Sequence, residues 1–240
     1  MIPTSIDGTD ITGATIDGTD VQEITVDGDV VFSAGAALPT QGLLHQWDWS
    51  AASSTTSFVE DLAGSAAATG SFNGFGTING KQSGNFDTSQ IFQATGLNPY
   101  GDDRIIATVF QSDPFATTSD NQFIWDSNDF NNPIPHWNDK NNEDYVFFQG
   151  NFLFGSAADA NPKISLMQID TTDIMRINGT QVVSGNSGST SPTTLRFGLA
   201  RDGTQPLLGQ IGEVLMYELS NAPSFADIEN YLAAAWGITI

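Results

Sequence analysis

Short segments rich in β-branched and aromatic residues recur along residues 43–240, and turn-forming residues separate them. The separators are glycine, proline and the dipeptides Asn-Gly and Asp-Gly, which favour tight turns between antiparallel strands. A chain divided this often leaves room for few helices and indicates an all-β sandwich or barrel. The clearest strand predictions are residues 104–110, 145–148, 163–169 and 212–218.

One short helix is predicted near the C-terminus. Ser224 can cap its first turn, with Asp227 three residues later as the capping partner. Gly237 is expected to end the helix, because glycine readily adopts the left-handed conformation found after helices. The apolar residues between them follow a helical 3-4-3 spacing, namely Ile228, Tyr231, Leu232 and Ala235.

The N-terminal residues 1–33 contain a repeat with a period of 10 residues. Residues 5–11 return as 15–21 and again as 25–31, each with Asp-Gly between β-branched residues. The pattern predicts a small β-meander that is too short to bury a core alone, so we expect it to anchor or oligomerise the protein. The alternative is a flexible acidic arm. Residues 34–42 form a small-residue linker, and residues 43–240 form the main domain.

The chain is strongly acidic, with 28 acidic residues, 7 basic residues and a net charge of −21. In dilute solution such like charge weakens a compact state. At molar salt the Debye length falls to about 3 Å, and most of the repulsion is screened. The acids are mostly Asp and are scattered, which favours adaptation to high salt over an ordinary acidic secreted or calcium-binding protein. Without a basic patch, a nucleic-acid partner is excluded.

The composition also bears on the compartment. There is no cysteine, so nothing depends on disulfides. No run approaches 18 apolar residues, and no membrane insertion is expected. The opening residues lack the basic and apolar regions of a secretory signal. A virion protein combines these features, because it assembles in the host cytoplasm and leaves with the particle, so we expect a location on the virion surface.

Several segments resemble the concanavalin A-like lectin/glucanase (laminin G-like) superfamily. Residues 209–218 and 228–238 resemble its closing pattern, a G-x-I-x-E-V-x-x-Y strand before a helix ending in YLxxKWG. Residues 173–183 are similar to its x-N-G-x-x-V hairpin, and residues 44–48 and 59–64 resemble its first strand and D-x-x-G turn. Ala235 departs from the lysine often found there.

The resemblance implies a two-sheet antiparallel jelly-roll sandwich over residues 43–238. It implies the fold more firmly than the function, because this sandwich carries lectins, glycosidases, adhesion modules and virion spikes. The N-terminal Asp-Gly repeats, in turn, resemble segments in structural proteins of haloarchaeal tailed viruses.

Catalysis is not expected. The E-x-D-x-x-E carboxylate pattern of the superfamily's glycosidases does not occur, and Glu213 and Glu218 are five residues apart, so they face opposite sides of a strand. Nucleophilic catalysis lacks its residues, because there is no cysteine and the two histidines are His45 and His136. No zinc-binding spacing and no phosphate-binding glycine loop are present.

Residues 120–144 hold the candidate binding site. Indole rings beside amides and carboxylates suit sugars, since the ring packs on the C–H face and the polar groups bind hydroxyls. Trp125 is expected in the core and Trp137 at the surface; the alternative is a solvated, turn-rich loop. The glycan-binding candidates are Trp137, His136, Asn138, Asp139 and Asn141. A Ca²⁺ site at Asp126, Asn128 and Asp129, or bound Na⁺ or K⁺, is a further hypothesis.

These observations favour a virion surface protein of a halophilic archaeal virus, as a capsid turret, spike or tail-fibre component. We expect a homotrimer that contacts other virion proteins through residues 1–33 and host-surface glycans through the sandwich. The first alternative is a cellular carbohydrate-binding module without catalytic activity. A glycosidase is the third reading, and it requires turnover that depends on a single Glu.

Overall fold

The structure is a computed structural model with two compact units, Met1–Leu38 and Pro39–Ile240. Side chains are described from residue 36 onward, apart from residues 58, 148 and 156. The described residues are 5–6, 9–10, 15–16, 19–20, 23–26, 29–33, 36–53, 58–59, 61–86, 91–97, 103–112, 121–127, 135–139, 144–148, 151–186 and 193–240.

Each N-terminal repeat contributes two short strands that pair antiparallel with each other. The six strands are β1 (Ser5–Ile6), β2 (Thr9–Asp10), β3 (Thr15–Ile16), β4 (Thr19–Asp20), β5 (Glu23–Val26) and β6 (Asp29–Ser33). They pair as β1 with β2, β3 with β4, and β5 with β6. Within the described residues these are three separate two-stranded ladders and not one continuous meander. The two-residue strands β1 to β4 offer few backbone groups for further pairing.

The second unit consists of two eight-stranded antiparallel sheets. Its strands are β7 (Leu43–Asp48), β8 (Phe58–Val59), β9 (Ala68–Gly70), β10 (Phe75–Ile78), β11 (Lys81–Phe86), β12 (Phe92–Thr95), β13 (Arg104–Ser112), β14 (Gln122–Ser127), β15 (His136–Asp139), β16 (Asp144–Phe148), β17 (Phe152–Ala157), β18 (Lys163–Ile169), β19 (Asp173–Ile177), β20 (Thr180–Gly185), β21 (Thr194–Phe197) and β22 (Gly209–Glu218).

The strand order separates the two sheets clearly. The first sheet runs β10-β11-β22-β13-β18-β19-β20, and β7 pairs with β22 beyond the end of β11. The second sheet runs β17-β16-β15-β14-β21-β12-β9-β8. Two facing antiparallel sheets and a single C-terminal helix confirm the predicted all-β sandwich.

The main core lies between the sheets and is dominated by aromatic rings. Trp47 and Trp49 on the first-sheet side meet Phe197 of the second sheet, with ring centroids 5.3 and 5.2 Å apart. Trp125 is completely buried and donates its indole N–H to Thr108 Oγ1 at 3.1 Å. The prediction that Trp125 belongs to the core is therefore confirmed.

The C-terminal helix α1 (Phe225–Trp236) begins and ends where the sequence predicts. The Ser224 side chain accepts the backbone N–H of Asp227 at 3.2 Å, and Gly237 follows the helix with a φ of 61°. Its apolar stripe, with Ile228 and Leu232 fully buried, packs on β13 and β18 of the first sheet. The predicted cap, stripe and end are all confirmed. Among the described residues, no helix is both long and apolar enough to cross a membrane.

Candidate functional site

The two sheets differ in what covers their outer faces. The helix α1 lies over the first sheet, where its contacts are with β13 and β18. In the described part of the chain, no helix covers the outer face of the second sheet. Its side chains on the inner strands are largely buried, and its exposed part lies at the edge strand β17, where a ligand could bind. We call this outer face the open face.

A row of apolar residues crosses four strands of the open face. Phe123 on β14 lies opposite Trp137 on β15, Trp137 lies opposite Val146 on β16, and Val146 lies opposite Phe154 on β17. Phe123, Trp137 and Val146 form a small buried cluster with Ala200, distinct from the main core. Strand periodicity explains the row, because residues in register on neighbouring strands point to one side of the sheet.

The row ends at Phe154 on the edge strand β17, and Phe152 lies two residues earlier on the same strand, opposite Phe148. Phe152 is 58% exposed and Phe154 is 45% exposed. Their rings lie side by side, with centroids 6.0 Å apart and planes 28° from parallel. Spaced two residues apart, the rings share one face of the strand. We call this pair the phenylalanine platform, and it is a suitable surface for stacking a flat apolar group.

Trp137 lies behind the platform and is only 5% exposed. Its ring stacks on Phe123 with centroids 5.4 Å apart, and its centroid lies 5.9 Å from that of the nearly perpendicular Phe152 ring. The expectation that Trp137 is the exposed tryptophan is therefore wrong. The reason is non-local, because Phe123 on the neighbouring strand covers one face of the indole.

His136 and Asn138 point to the opposite side of β15, between the two sheets. His136 is fully buried beside Phe110 and Trp125, and its Nδ1 donates to the Val146 carbonyl at 3.0 Å. Burial lowers the pKa of His136 to about 4, which keeps the imidazole neutral at ordinary pH. Asn138 donates to Ser112 Oγ at 2.7 Å. Neither side chain lies on the open face, unlike Trp137.

Asp139 returns to the open face, two residues after Trp137. It lies directly opposite Asp144 on β16, which is itself two residues before Val146. Both aspartates are partly exposed. The pair therefore occupies the row next to the aromatic row, and the Asp144 carboxylate can accept hydrogen bonds from a ligand on the platform. Asn141, the remaining glycan-binding candidate, lies outside the described residues.

Asp126 lies on β14, which is separated from the edge strand β17 by two strands, and it is completely buried. Its Oδ2 accepts the backbone N–H of Arg201 at 3.0 Å and lies 3.6 Å from Arg201 Nε. Burial raises the pKa of Asp126 to about 6, and the Arg201 charge only partly offsets this. Asp126 therefore already has a cationic partner, and Arg196 lies opposite it on β21.

The calcium hypothesis also includes Asn128 and Asp129, which lie outside the described residues, so it stays a prediction. No group of three or more metal-binding side chains occurs within the described ranges.

The platform itself is the feature that sequence reasoning missed. The alternation Phe152-Leu153-Phe154 does signal a strand with both rings on one side. Leu153 packs on the main core, which leaves the two phenylalanines facing outward. That outcome depends on β17 being an edge strand, and the local sequence does not show strand order.

Comparisons with known proteins support the fold. No protein-family model matches the chain, and no curated protein sequence matches it. Among solved structures, the chain is similar to domain 4 of AbnA, an extracellular arabinanase of Geobacillus stearothermophilus solved in complex with arabinotriose. The identity is 15%, the match covers 81% of this chain and 98% of that domain, and the TM-score is 0.58.

Two further likenesses cover only part of a longer protein. The Trypanosoma rangeli sialidase matches with 10% identity over 91% of this chain and 37% of the sialidase, with a TM-score of 0.61. The receptor-binding domain of botulinum neurotoxin type G matches with 11% identity over 80% of this chain and 51% of that domain, with a TM-score of 0.58. At these identities the comparisons show a shared β-sandwich fold.

Proposed function

We propose that this protein is a non-catalytic binding module that takes carbohydrate on the open face of its second sheet. The observation that carries the proposal is the phenylalanine platform, two neighbouring rings that are 58% and 45% exposed. Contiguous exposed apolar surface, unlike apolar residues scattered singly, is typical of interaction sites. Sugar rings present apolar C–H faces to such rings and hydroxyls to nearby polar groups.

The surroundings of the platform suit a sugar better than a purely apolar partner. Asp139 and Asp144 lie one row away, within reach of hydroxyl groups on a stacked ring. The similar arabinanase domain was solved with arabinotriose, and the similar neurotoxin domain is a receptor-binding domain. These likenesses support a binding role for the sandwich and do not identify the ligand.

The absence of catalysis is part of the proposal. The carboxylate of Glu213 already accepts hydrogen bonds from Gln46, Tyr231 and Trp236, so it is not available as a general acid or base. His45 and His136 are both buried. If the protein were a glycosidase instead, oligosaccharides incubated with it would be cleaved, and a single carboxylate substitution would abolish the turnover.

The test compares two matched variants on a glycan array in molar NaCl. Phe152→Ala/Phe154→Ala removes the platform, and Phe75→Ala removes a phenylalanine that is 40% exposed on β10 of the other sheet. We expect the platform variant to lose about 30-fold or more in affinity, as for an aromatic hot spot. Phe75→Ala should bind like the unaltered protein. Absence of any glycan binding, or an unchanged affinity in the platform variant, would contradict the proposal.

We place this module on the surface of a halophilic archaeal virus, with residues 1–33 as the anchoring and oligomerising segment. The charge of −21 and the 10-residue repeat support this setting. Light scattering after size-exclusion chromatography in molar KCl should give a homotrimer, and the protein should co-sediment with purified virions. A cellular carbohydrate-binding module would instead bind glycan without associating with virions.

A further inference from the structure

We infer that the open face selects neutral sugars and rejects acidic ones. This inference rests on the proposed function, and it names the class of carbohydrate that the phenylalanine platform accepts. It follows from the carboxylates that flank the platform and from what the basic side chains of the protein already contact.

The carboxylate of Asp144 provides negative charge beside the platform, and Asp139 lies directly opposite it on β15. Asp144 is two residues from Val146, which lies directly opposite Phe154. The register of β16 and β17 shifts between Asp144 and Val146, but Asp144 remains two residues along β16 from the residue opposite Phe154. This spacing is within contact range of a ligand stacked on the Phe154 ring. A hydroxylated ring in that position donates charge-assisted hydrogen bonds to the carboxylates. A uronate or sulfate in the same position would place like charges together.

The described basic residues are not available to neutralise an acidic sugar. Arg176 pairs with Glu229 at 2.9 Å, Lys163 pairs with Asp159 at 2.8 Å, and Lys81 lies over the Trp236 ring at 4.1 Å. Arg104 and Arg196 are buried, and Arg201 pairs with Asp126. Lys140 lies outside the described ranges. Each described lysine or arginine is thus buried or already engaged with another group.

The salt dependence separates this local effect from the net charge of the chain. At molar salt the Debye length is about 3 Å, so the repulsion from distant acids is screened. Charges that a bound ligand touches are screened much less. Selectivity that originates at Asp139 and Asp144 therefore persists in molar salt, whereas selectivity that originates in the overall charge of −21 disappears.

The experiment uses the full chain and pairs of oligosaccharides that differ only in oxidation of the C6 hydroxymethyl group to a carboxylate. The neutral member is chosen from the glycans bound on the array. Affinities are measured by calorimetry in molar NaCl for the unaltered protein and for Asp139→Asn/Asp144→Asn. We expect the unaltered protein to bind the neutral member at least about tenfold more tightly, because like charges in contact are costly. The double variant should lose most of that preference, and Glu218→Gln, at the end of β22, should keep it.

Two outcomes would overturn the inference, and they differ from failure of the proposed function. Equal or tighter binding of the oxidised member by the unaltered protein would show that the open face accepts acidic sugars. A preference unchanged in the double variant would show that these carboxylates do not cause it. In both cases the platform variant still loses glycan binding, and the proposed function stands. Loss of binding through misfolding is recognised by thermal unfolding of each variant in the same buffer.

Discussion

The indole N–H of Trp236 donates a 2.9 Å hydrogen bond to the carboxylate of Glu213, 23 residues earlier in the chain. This contact fastens the end of helix α1 to strand β22. Gln46 on β7 and Tyr231 on the helix donate to the other carboxylate oxygen at 2.8 and 3.0 Å. Burial raises the pKa of Glu213, and the hydrogen bonds from Trp236 and Gln46 only partly offset it. One side chain therefore joins two strands and the helix.

Removal of the Glu213 carboxylate should destabilise the protein strongly. Glu213→Ala leaves three donors without their acceptor inside the protein, and we expect a loss of about 2–4 kcal/mol in the free energy of unfolding. The measurement is urea unfolding in molar KCl. Glu218→Ala, at the partly exposed end of the same strand, should cost about 1 kcal/mol or less. Similar losses in the two variants would argue against this role for Glu213.

The part of the fold that involves Glu213 could be predicted from sequence because its signals are local. The G-x-I-x-E-V-x-x-Y strand, the Ser224 cap and the apolar stripe of the helix each depend on residues a few positions apart. The structure adds the hydrogen bond between Glu213 and Trp236, which no local pattern indicates. Long-range partners of this kind depend on which strands become neighbours.

The candidate site was harder to predict for the same reason. Strand periodicity shows that His136 and Trp137 face opposite sides of β15, but it does not show which side is the core. Phe123 covers the ring of Trp137 only because β14 pairs with β15. The exposure of Phe152 and Phe154 likewise follows from the position of β17 at the sheet edge. Tertiary pairing, and not residue type, decides which aromatic residues are available.

Asp61 should stabilise the protein only above strongly acidic pH. Its carboxylate accepts the ring N–H of His45 at 2.5 Å and the backbone N–H groups of Gly64 and Ala66 at 2.8 and 2.9 Å. Burial alone would raise the pKa of Asp61, but these hydrogen bonds and that from Gln46 outweigh it and lower the pKa from 3.8 to about 2.

The unfolded chain therefore binds a proton at Asp61 more readily than the folded chain does. The stabilisation from Asp61 is complete above about pH 4 and is lost as the pH falls through about 2. Asp61→Asn should lower the free energy of unfolding by about 1–3 kcal/mol at neutral pH. It should also reduce the loss of unfolding free energy between pH 4 and pH 2, measured by urea unfolding at a series of pH values. A variant with the same slope as the unaltered protein below pH 4 would contradict this prediction.

His136 should make the protein less stable as the pH falls from 6.5 towards 4. Burial lowers its pKa from 6.5 to about 4, so the unfolded chain takes up the proton first. The contribution of His136 to the free energy of unfolding should rise with pH across this window. His136→Phe, which fills the aromatic surroundings without a titrating group, should remove that rise. Unfolding midpoints in urea at half-unit pH intervals provide the measurement, and an unchanged slope in His136→Phe would count against it.

The titration of Asp126 should lower the stability as the pH rises, opposite to the effect of His136 and over an overlapping pH range. Burial raises its pKa from 3.8 to about 6, so the folded chain holds the proton more tightly, and stability should fall as the pH rises from 3.8 to 6. In Asp126→Asn, the free energy of unfolding should therefore rise with pH because of His136. In His136→Phe, it should fall with pH because of Asp126. The double variant should lose both contributions and keep those of the other titrating groups, among them Glu213, whose pKa burial also raises. Parallel profiles in all four proteins would show that neither group titrates as the structure indicates.

Salt should stabilise the protein in proportion to the charge that it screens. With 28 acidic and 7 basic residues, the compact state repels itself at low ionic strength, and molar salt reduces the Debye length to about 3 Å. We expect the unfolding temperature to fall steadily as KCl is dialysed from molar to millimolar concentration. Sucrose at matched osmotic strength controls for exclusion effects, because it strengthens burial without screening charge. An unfolding temperature that does not change on removal of salt would mean that the acidic surface is not an adaptation to brine.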